Sequence, residues 1–171
     1  TAVGFSAGAA MTTGTLNTII GARAGDALTT GTENVVLGYN ALSAEDTGTR
    51  NVAIGLEALR DLNYDGNGYN VAIGWQAGKA ITTGTHNTIL GGSAGDALTI
   101  GNNNTALGYQ ALTTETLGDR SVAVGNFALQ LQNNTSNNDI YNTAVGFNSG
   151  GAITTANHTT IVGGLAGDAL T

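Results

Sequence analysis

One motif, Asn-[Thr/Val]-[Ala/Ile/Val]-[Val/Ile/Leu]-Gly, recurs along the whole chain and leaves few architectures open to it. Full copies run Asn17 to Gly21, Asn34 to Gly38, Asn51 to Gly55, Asn70 to Gly74, Asn87 to Gly91, Asn104 to Gly108 and Asn142 to Gly146. Ser121 to Gly125 and Thr159 to Gly163 are variants without the Asn, and Thr1 to Gly4 is a truncated copy. Successive motif glycines are separated by 17, 17, 17, 19, 17, 17, 17, 21 and 17 residues. A 17-residue unit is too short for two helices and their turns, and Val, Ile and Thr favour strands. Each unit therefore reads as one coil of a parallel β-solenoid, an all-β fold of ten coils. A second glycine about ten residues after the first, at Gly14, Gly31, Gly48, Gly84, Gly101 and Gly118, predicts a second corner where positive φ is needed. Two short strands and two turns per coil follow. At the inter-strand distance of ~4.8 Å, ten coils make a rod roughly 45–50 Å long.

A longer period lies over the first. Three residues after each motif glycine stands Ala, or Ser149 once, and the next position reads Gly8, Gly25, Leu42, Leu59, Gly78, Gly95, Leu112, Leu129, Gly150, Gly167. Gly, Gly, Leu, Leu thus repeats every four coils and divides the single repetitive segment into units of approximately 1–69, 70–141 and 142–171. Both insertions fall in the fourth coil of a set. Loops around 61–68 and 132–139 should therefore stand out sideways, with Tyr64, Asp65, Asn67, Asn134 and Asn137 as candidate surface contacts. Aromatic residues directly follow the motif glycine on every second coil: Phe5, Tyr39, Trp75, Tyr109 and Phe147.

Side chains alternate across a strand, so motif positions two and four share one face and position three takes the other. Position four is always Val, Ile or Leu, and position three is never polar. A lone solenoid should wet one of these faces. The expectation is that position three, at Ile19, Val36, Ile89 and Ile161, points outward and packs against identical chains. The Asn column should stack into a hydrogen-bonded ladder that satisfies backbone groups at the corner.

Composition narrows the functions. The net charge of −7, with five Lys and Arg in all, provides no basic stripe for nucleic acid. No apolar run is long enough to insert this segment into a membrane. Apolar residues at fixed places, 41 % of the chain, argue against disorder. Cys is absent, which leaves the compartment open. The chain opens inside one motif copy and stops part-way through another, so a segment of a longer protein is expected.

As written in "NTAVGF", "NVAIGW" and "NTALGY", followed two residues on by Ala, or by Ser149 in the first, the motif resembles the YadA-like head repeats of trimeric autotransporter adhesins. It is similar also to the repeats of phage tail fibres and bacterial surface fibres. The resemblance covers essentially the whole chain. It implies a left-handed parallel β-roll in a homotrimer, located outside the cell or on a virion tail, with a cell-surface or glycan receptor as partner. The 17-residue coils and the four-coil period depart from the adhesin heads, and favour a fibre shaft.

Residues suited to chemistry are sparse. His86 and His158 sit at matching places four coils apart, roughly 19 Å at the strand spacing, too far to share a metal. No Ser, His and acid, and no paired carboxylates, fall at telling positions. Asp26, Asp96 and Asp168 recur in "AGDAL" as turn-capping candidates, and Asp65-Gly66-Asn67-Gly68 resembles part of a calcium loop without its closing Glu. No catalytic residue, cofactor or metal site is expected. Two other readings are weighed. Val3 to Gly8 and Ile20 to Gly25 fit the hexapeptide of left-handed β-helix acyltransferases, but only one hexapeptide per coil fits. Thr12-Thr13, Thr29-Thr30 and Thr82-Thr83 suit an ice-binding face, which Asp46, Asn63, Tyr64 and Asn133 interrupt.

Overall fold

The computed structural model describes residues 1–136 and 138–170. Ten short strands, β1 (Ala2–Val3), β2 (Thr18–Ile20), β3 (Val35–Leu37), β4 (Val52–Ile54), β5 (Val71–Ile73), β6 (Thr88–Leu90), β7 (Thr105–Leu107), β8 (Val122–Val124), β9 (Thr143–Val145) and β10 (Thr160–Val162), form one sheet. They pair in parallel in sequence order. The register sets each motif residue beside its counterpart one coil away, as in Ile19 beside Val36 and Val36 beside Ala53. The extra residues before Asn70 and Asn142 leave it undisturbed: Ala53 pairs with Ala72, and Ala123 with Ala144. The chain is a β-solenoid.

Each coil has one strand, not the two expected. Its remaining sides are turns whose backbone groups bond to neighbouring coils. The N–H groups point both ways along the rod: Gly38 and Asn40 donate backward, to Ile20 O at 2.9 Å and Ala22 O at 3.2 Å, whereas Val35 and Leu42 donate forward, to Asn51 O at 2.9 Å and Ala58 O at 3.0 Å. Two isolated bridges, Thr49 with Asn67 and Asp119 with Asp139, are all that marks a second strand among the described residues.

The two glycine columns answer to different constraints. At Gly55 φ is +133°, and a Cβ would lie 2.2 Å from the carbonyl oxygen of Gly74. Neither the conformation nor the space admits a side chain there. The second column lacks the positive φ expected of it. At Gly84 the constraint is contact alone, since a Cβ would lie 2.4 Å from the oxygen of Gly101.

The Asn column forms the predicted ladder. The Oδ1 of Asn34 accepts the Asn51 N–H at 2.9 Å, and its Nδ2 donates to the Gly48 carbonyl at 2.9 Å. Asn87 does the same with the Asn104 N–H at 2.9 Å and the Gly101 carbonyl at 2.8 Å. Both partners lie at the next corner along the rod, so each of these amides ties its coil to the following one; Asn51 differs, its Nδ2 donating to the Thr49 carbonyl at 3.2 Å.

The inside and outside of the strand are the reverse of the expectation. Ile19, Val36 and Ile89 are fully buried within their own coils and Ile161 nearly so; they are core, not an interface between chains. Positions two and four face outward, with Ile20, Leu37 and Leu90 about two-fifths exposed. The physical reason is width. The interior is so narrow that position three, opposite the buried Ala24, Ala41 and Ala58 column, is Ala in most coils. Branched residues enter in some coils, as at Ile19, Val36 and Ile89, but one in every coil, as position four carries, has no room there.

Interior width also accounts for the four-coil period. Where the turn carries Leu42, Leu59, Leu112 or Leu129, that side chain fills the core. Where it carries Gly, a larger neighbour takes the space. The Ile89 Cδ1 lies 3.1 Å from where a Cβ would sit on either Gly78 or Gly95. Ile19 spans Gly8 and Gly25 in the same way, and Ile161 spans Gly150 and Gly167. The core leucines hold φ between 48° and 55°, a region that costs an L-residue about 1–3 kcal/mol. Full burial of Leu, worth about 1.5–3 kcal/mol, roughly offsets this.

Ile89→Ala should destabilise the chain by about 2–5 kcal/mol, and Leu90→Ala by less than about 1 kcal/mol in the isolated monomer. Urea unfolding of both variants checks the inverted facing, and equal losses would contradict it.

Candidate functional site

Among the described residues there is no enclosed pocket, and no group of three His, Asp or Glu side chains converges as a metal site would require. What the coil offers instead is columns: every outward position is repeated along the rod. Four of them carry distinctive chemistry.

The first is the strand face itself. Its position-two column holds only Thr and Val from Thr18 to Thr160, and its position-four column only Ile, Leu and Val. Exposure reaches 70 % at Val162 and 57 % at Val3, on the two end coils. The position-four column is thus a continuous apolar line along the sheet, flanked by an uncharged column of Thr and Val.

The second is the aromatic column one residue beyond the motif glycine. Phe5, Tyr39, Trp75, Tyr109 and Phe147 are all exposed. Phe127, from the coil between, meets Tyr109 and Phe147 edge to face, with centroids 5.6 and 5.8 Å away.

The third column lies just before the Asn, where φ is near +55°, and it gives the two histidines their role. Arg50 donates to the Glu33 carboxylate at 2.8 Å and to the Tyr69 hydroxyl at 2.8 Å, and its guanidinium lies 5.6 Å from the Tyr69 ring centroid. Tyr69 in turn stacks on His86 at 5.0 Å. The hydrogen bond from Arg50 holds the Glu33 carboxyl below its usual range. One super-repeat later, Arg120 lies over Tyr141, Tyr141 stacks on His158 at 5.3 Å, and Arg120 pairs with Asp139. These ladders brace the surface between coils. The pairing of Arg, Tyr and His across coils was visible in the repeat register but was not read from it.

The fourth feature anchors the insertions, and sequence reasoning missed it. Glu45 and Glu115, at matching core positions, are fully buried. Glu45 accepts N–H groups of Asp46 at 3.1 Å, Gly48 at 2.7 Å and, from the inserted segment, Tyr64 at 3.1 Å. Glu115 accepts the N–H of Gly118 at 2.8 Å and that of Asn134, and its second oxygen takes the Asn134 and Gln132 amides at 2.9 Å each. Gln132 also donates to Ser121 Oγ at 2.9 Å, and its own oxygen takes Asn142 Nδ2 at 2.8 Å, which mends the ladder where Ser replaces Asn. An acidic residue in an otherwise apolar column was the available signal.

The predicted loop contacts therefore divide. Tyr64, Asp65 and Asn67 are exposed, though Asp65 and Asn67 accept hydrogen bonds from Thr47 at 2.7 Å and Thr49 at 2.6 Å. Asn134 is buried against Glu115 and is no surface contact. Asn137 lies outside the described residues. The Thr12, Thr29, Thr82 and Thr99 hydroxyls each donate to a backbone carbonyl of the next coil. Asp96 takes the Thr113 hydroxyl of the next coil at 2.6 Å, a contact between coils where a turn cap was expected.

Compared with protein-family models, curated proteins and solved structures, the chain matches none of them. The likeness to adhesin heads and fibre shafts thus rests on the motif.

Burial raises the Glu45 carboxyl above its ordinary 4.5, against the pull of the N–H groups of Tyr64, Gly48 and Asp46, and the Asp46 charge adds to the rise. A raised folded value makes the acid form the better fit to the fold. The stability that Glu45 contributes is therefore complete below 4.5 and is lost as pH rises through the raised value. Relative to wild type, Glu45→Gln should gain stability as pH goes from 4.5 to 7. Urea midpoints at several pH values test this, and a constant difference would refute it.

Proposed function

We propose that the chain is a rigid segment of a homotrimeric extracellular fibre, a shaft or head of a cell-surface fibre or virion tail, acting as a spacer that presents lateral loops. The single observation that carries this reading is the strand face, whose outward position-four column is Ile, Leu or Val in all ten strands beside a column of uncharged Thr and Val. An exposed strip of that length is a surface for association. Identical parallel rods fit it best, because each 17-residue coil repeats the same two columns and can meet the same two columns of a partner at every level. The number three, and the place outside the cell, come from the motif's likeness to trimeric adhesin heads. The absence of any His, Cys or charged residue from either outward column fits a seam better than a reactive surface.

Ice binding is a second reading, on a face other than the one first weighed for it. The Thr12 column is occupied by bonds to carbonyls, whereas the position-two column presents only the near-isosteric Thr and Val on a flat sheet.

Replacing Leu37, Ile54 and Leu90 together with Lys should convert a three-chain species to a monomer in analytical ultracentrifugation. A wild-type chain that sediments as a monomer would remove the basis for the fibre. Thermal hysteresis of that wild-type monomer, abolished by Thr88→Lys with Thr105→Lys, would favour the ice-binding reading.

A further inference from the structure

The aromatic column is left unexplained by the core and by the strand face. Of the nine Phe, Trp and Tyr residues in the chain, five stand in it, and none of the nine belongs to the core. A shaft gains nothing from five large exposed rings in line. Their spacing, their immediate neighbours and their charge environment point to one kind of ligand.

Because the register advances by one coil per strand through both insertions, rings on alternate coils lie about two strand spacings apart, roughly 10 Å. A pyranose in an extended β-1,4-linked glycan advances by about one strand spacing and turns over at each link. Alternate sugars therefore present the same face at about the interval of these rings. Ring faces carry negative charge density and attract the positive edge of axial C–H groups. The coils between hold Ala22, Leu56, Gly92 and Asn126, three of them small enough to let a chain lie close. The Tyr109 ring leans along the axis over Gly92, with Cδ2 3.4 Å from where a Cβ would sit.

The residue after each ring is always uncharged and able to hydrogen-bond: Ser6, Asn40, Gln76, Gln110 and Asn148. Their φ values lie between 51° and 56°, so the five side chains leave the backbone in one direction. The same position on the coils between has the same backbone, with φ between 50° and 62°, but holds Arg23, Glu57, Ser93, Phe127 and Leu165, so what alternates is the side-chain chemistry. The Gln76 amide donates to Glu57 at 2.8 Å and the Gln110 amide accepts from Gln130 at 3.3 Å, which holds both beside the rings with a donor or acceptor left over. Rings so flanked match a ligand with flat apolar faces and equatorial hydroxyls. The net charge of −7 disfavours a polyanion, leaving a neutral polysaccharide.

We propose that Tyr39, Trp75 and Tyr109, extended by Phe5 and Phe147, form a strip that binds a neutral, extended β-1,4-linked glycan along the rod axis, with the adjoining amides on its hydroxyls. This adds a ligand class to the fibre reading, and it requires only one chain.

The test uses the purified chain with microcrystalline cellulose, with chitin, and with amylose, whose sugars are linked in a coiled chain. Depletion from the supernatant should occur on cellulose, chitin or both, the pair showing whether the N-acetyl group is tolerated, and should be absent on amylose. Trp75, the sole tryptophan, should shift its fluorescence on titration with cellohexaose. Trp75→Ala should weaken retention about tenfold, the size of one stacking contact, and the Tyr39→Ala, Trp75→Ala, Tyr109→Ala triple variant should abolish it with an unchanged circular dichroism spectrum. No retention of wild type on either β-1,4 glycan, equal retention on amylose, or retention of the triple variant would overturn the strip. Sedimentation of the triple variant separates the two proposals. Unchanged mass with lost binding supports the strip, whereas lost assembly together with lost binding would assign the rings to the seam between chains and overturn it.

Discussion

Hydrogen bonding along the rod axis is the constraint to which everything else in this molecule conforms. Each coil is too small to enclose a core, and its three-residue strand has no stability of its own. Its backbone groups are satisfied by the coils on either side, and the Asn amide adds two bonds where the chain turns from corner to strand. A unit supported only by its neighbours must repeat in register, because a slip of one residue would exchange inside for outside. Extra residues are admitted before Asn70 and Asn142 because they leave the strand pairing intact.

The same requirement explains why polar groups are buried in so narrow a core. An insertion interrupts the turn-to-turn bonds and leaves N–H groups without partners. Glu45 and Glu115 lie one coil earlier and collect those groups, at Tyr64 in one set and Asn134 in the next. At Glu45 desolvation works against an ionised carboxyl, while its three N–H donors work for it. Gln132 has a related task beside Ser121, where the ladder loses an amide. These groups are interior struts, even though the loops they hold reach the surface.

Outside, repetition turns single residues into surfaces. One Leu at position four would be an ordinary exposed side chain, yet ten coils make a strip. One exposed Tyr is unremarked, yet rings on alternate coils make a ruler. The proposed association surface and the proposed ligand strip are compatible on one rod, since each uses a different column and the columns are separated by the glycine corner. The Arg, Tyr and His column between super-repeats is spent on holding itself together, through Arg50 to Tyr69 to His86 and again through Arg120 to Tyr141 to His158.

The period, the parallel stacking, the Asn ladder and the alternation of the aromatics were legible in the chain because each follows from residue type at fixed intervals. Local pattern could not say which side of the strand faces inward. Both faces are apolar, and the choice falls to the width of the closed coil, which admits Ala72 and Ala106 but not a branched residue in every turn. Nor could it show why Gly, Gly, Leu, Leu recurs, because that depends on Ile89 reaching across two coils to fill the space above Gly78 and Gly95. The second glycine column likewise looked like a matter of φ and proved to be one of contact between coils. Sequence alone thus determined the repeat and its stacking, which are properties of one unit. The tertiary structure decided what lies inside, what lies outside and how the core is shared, because those depend on distances between units.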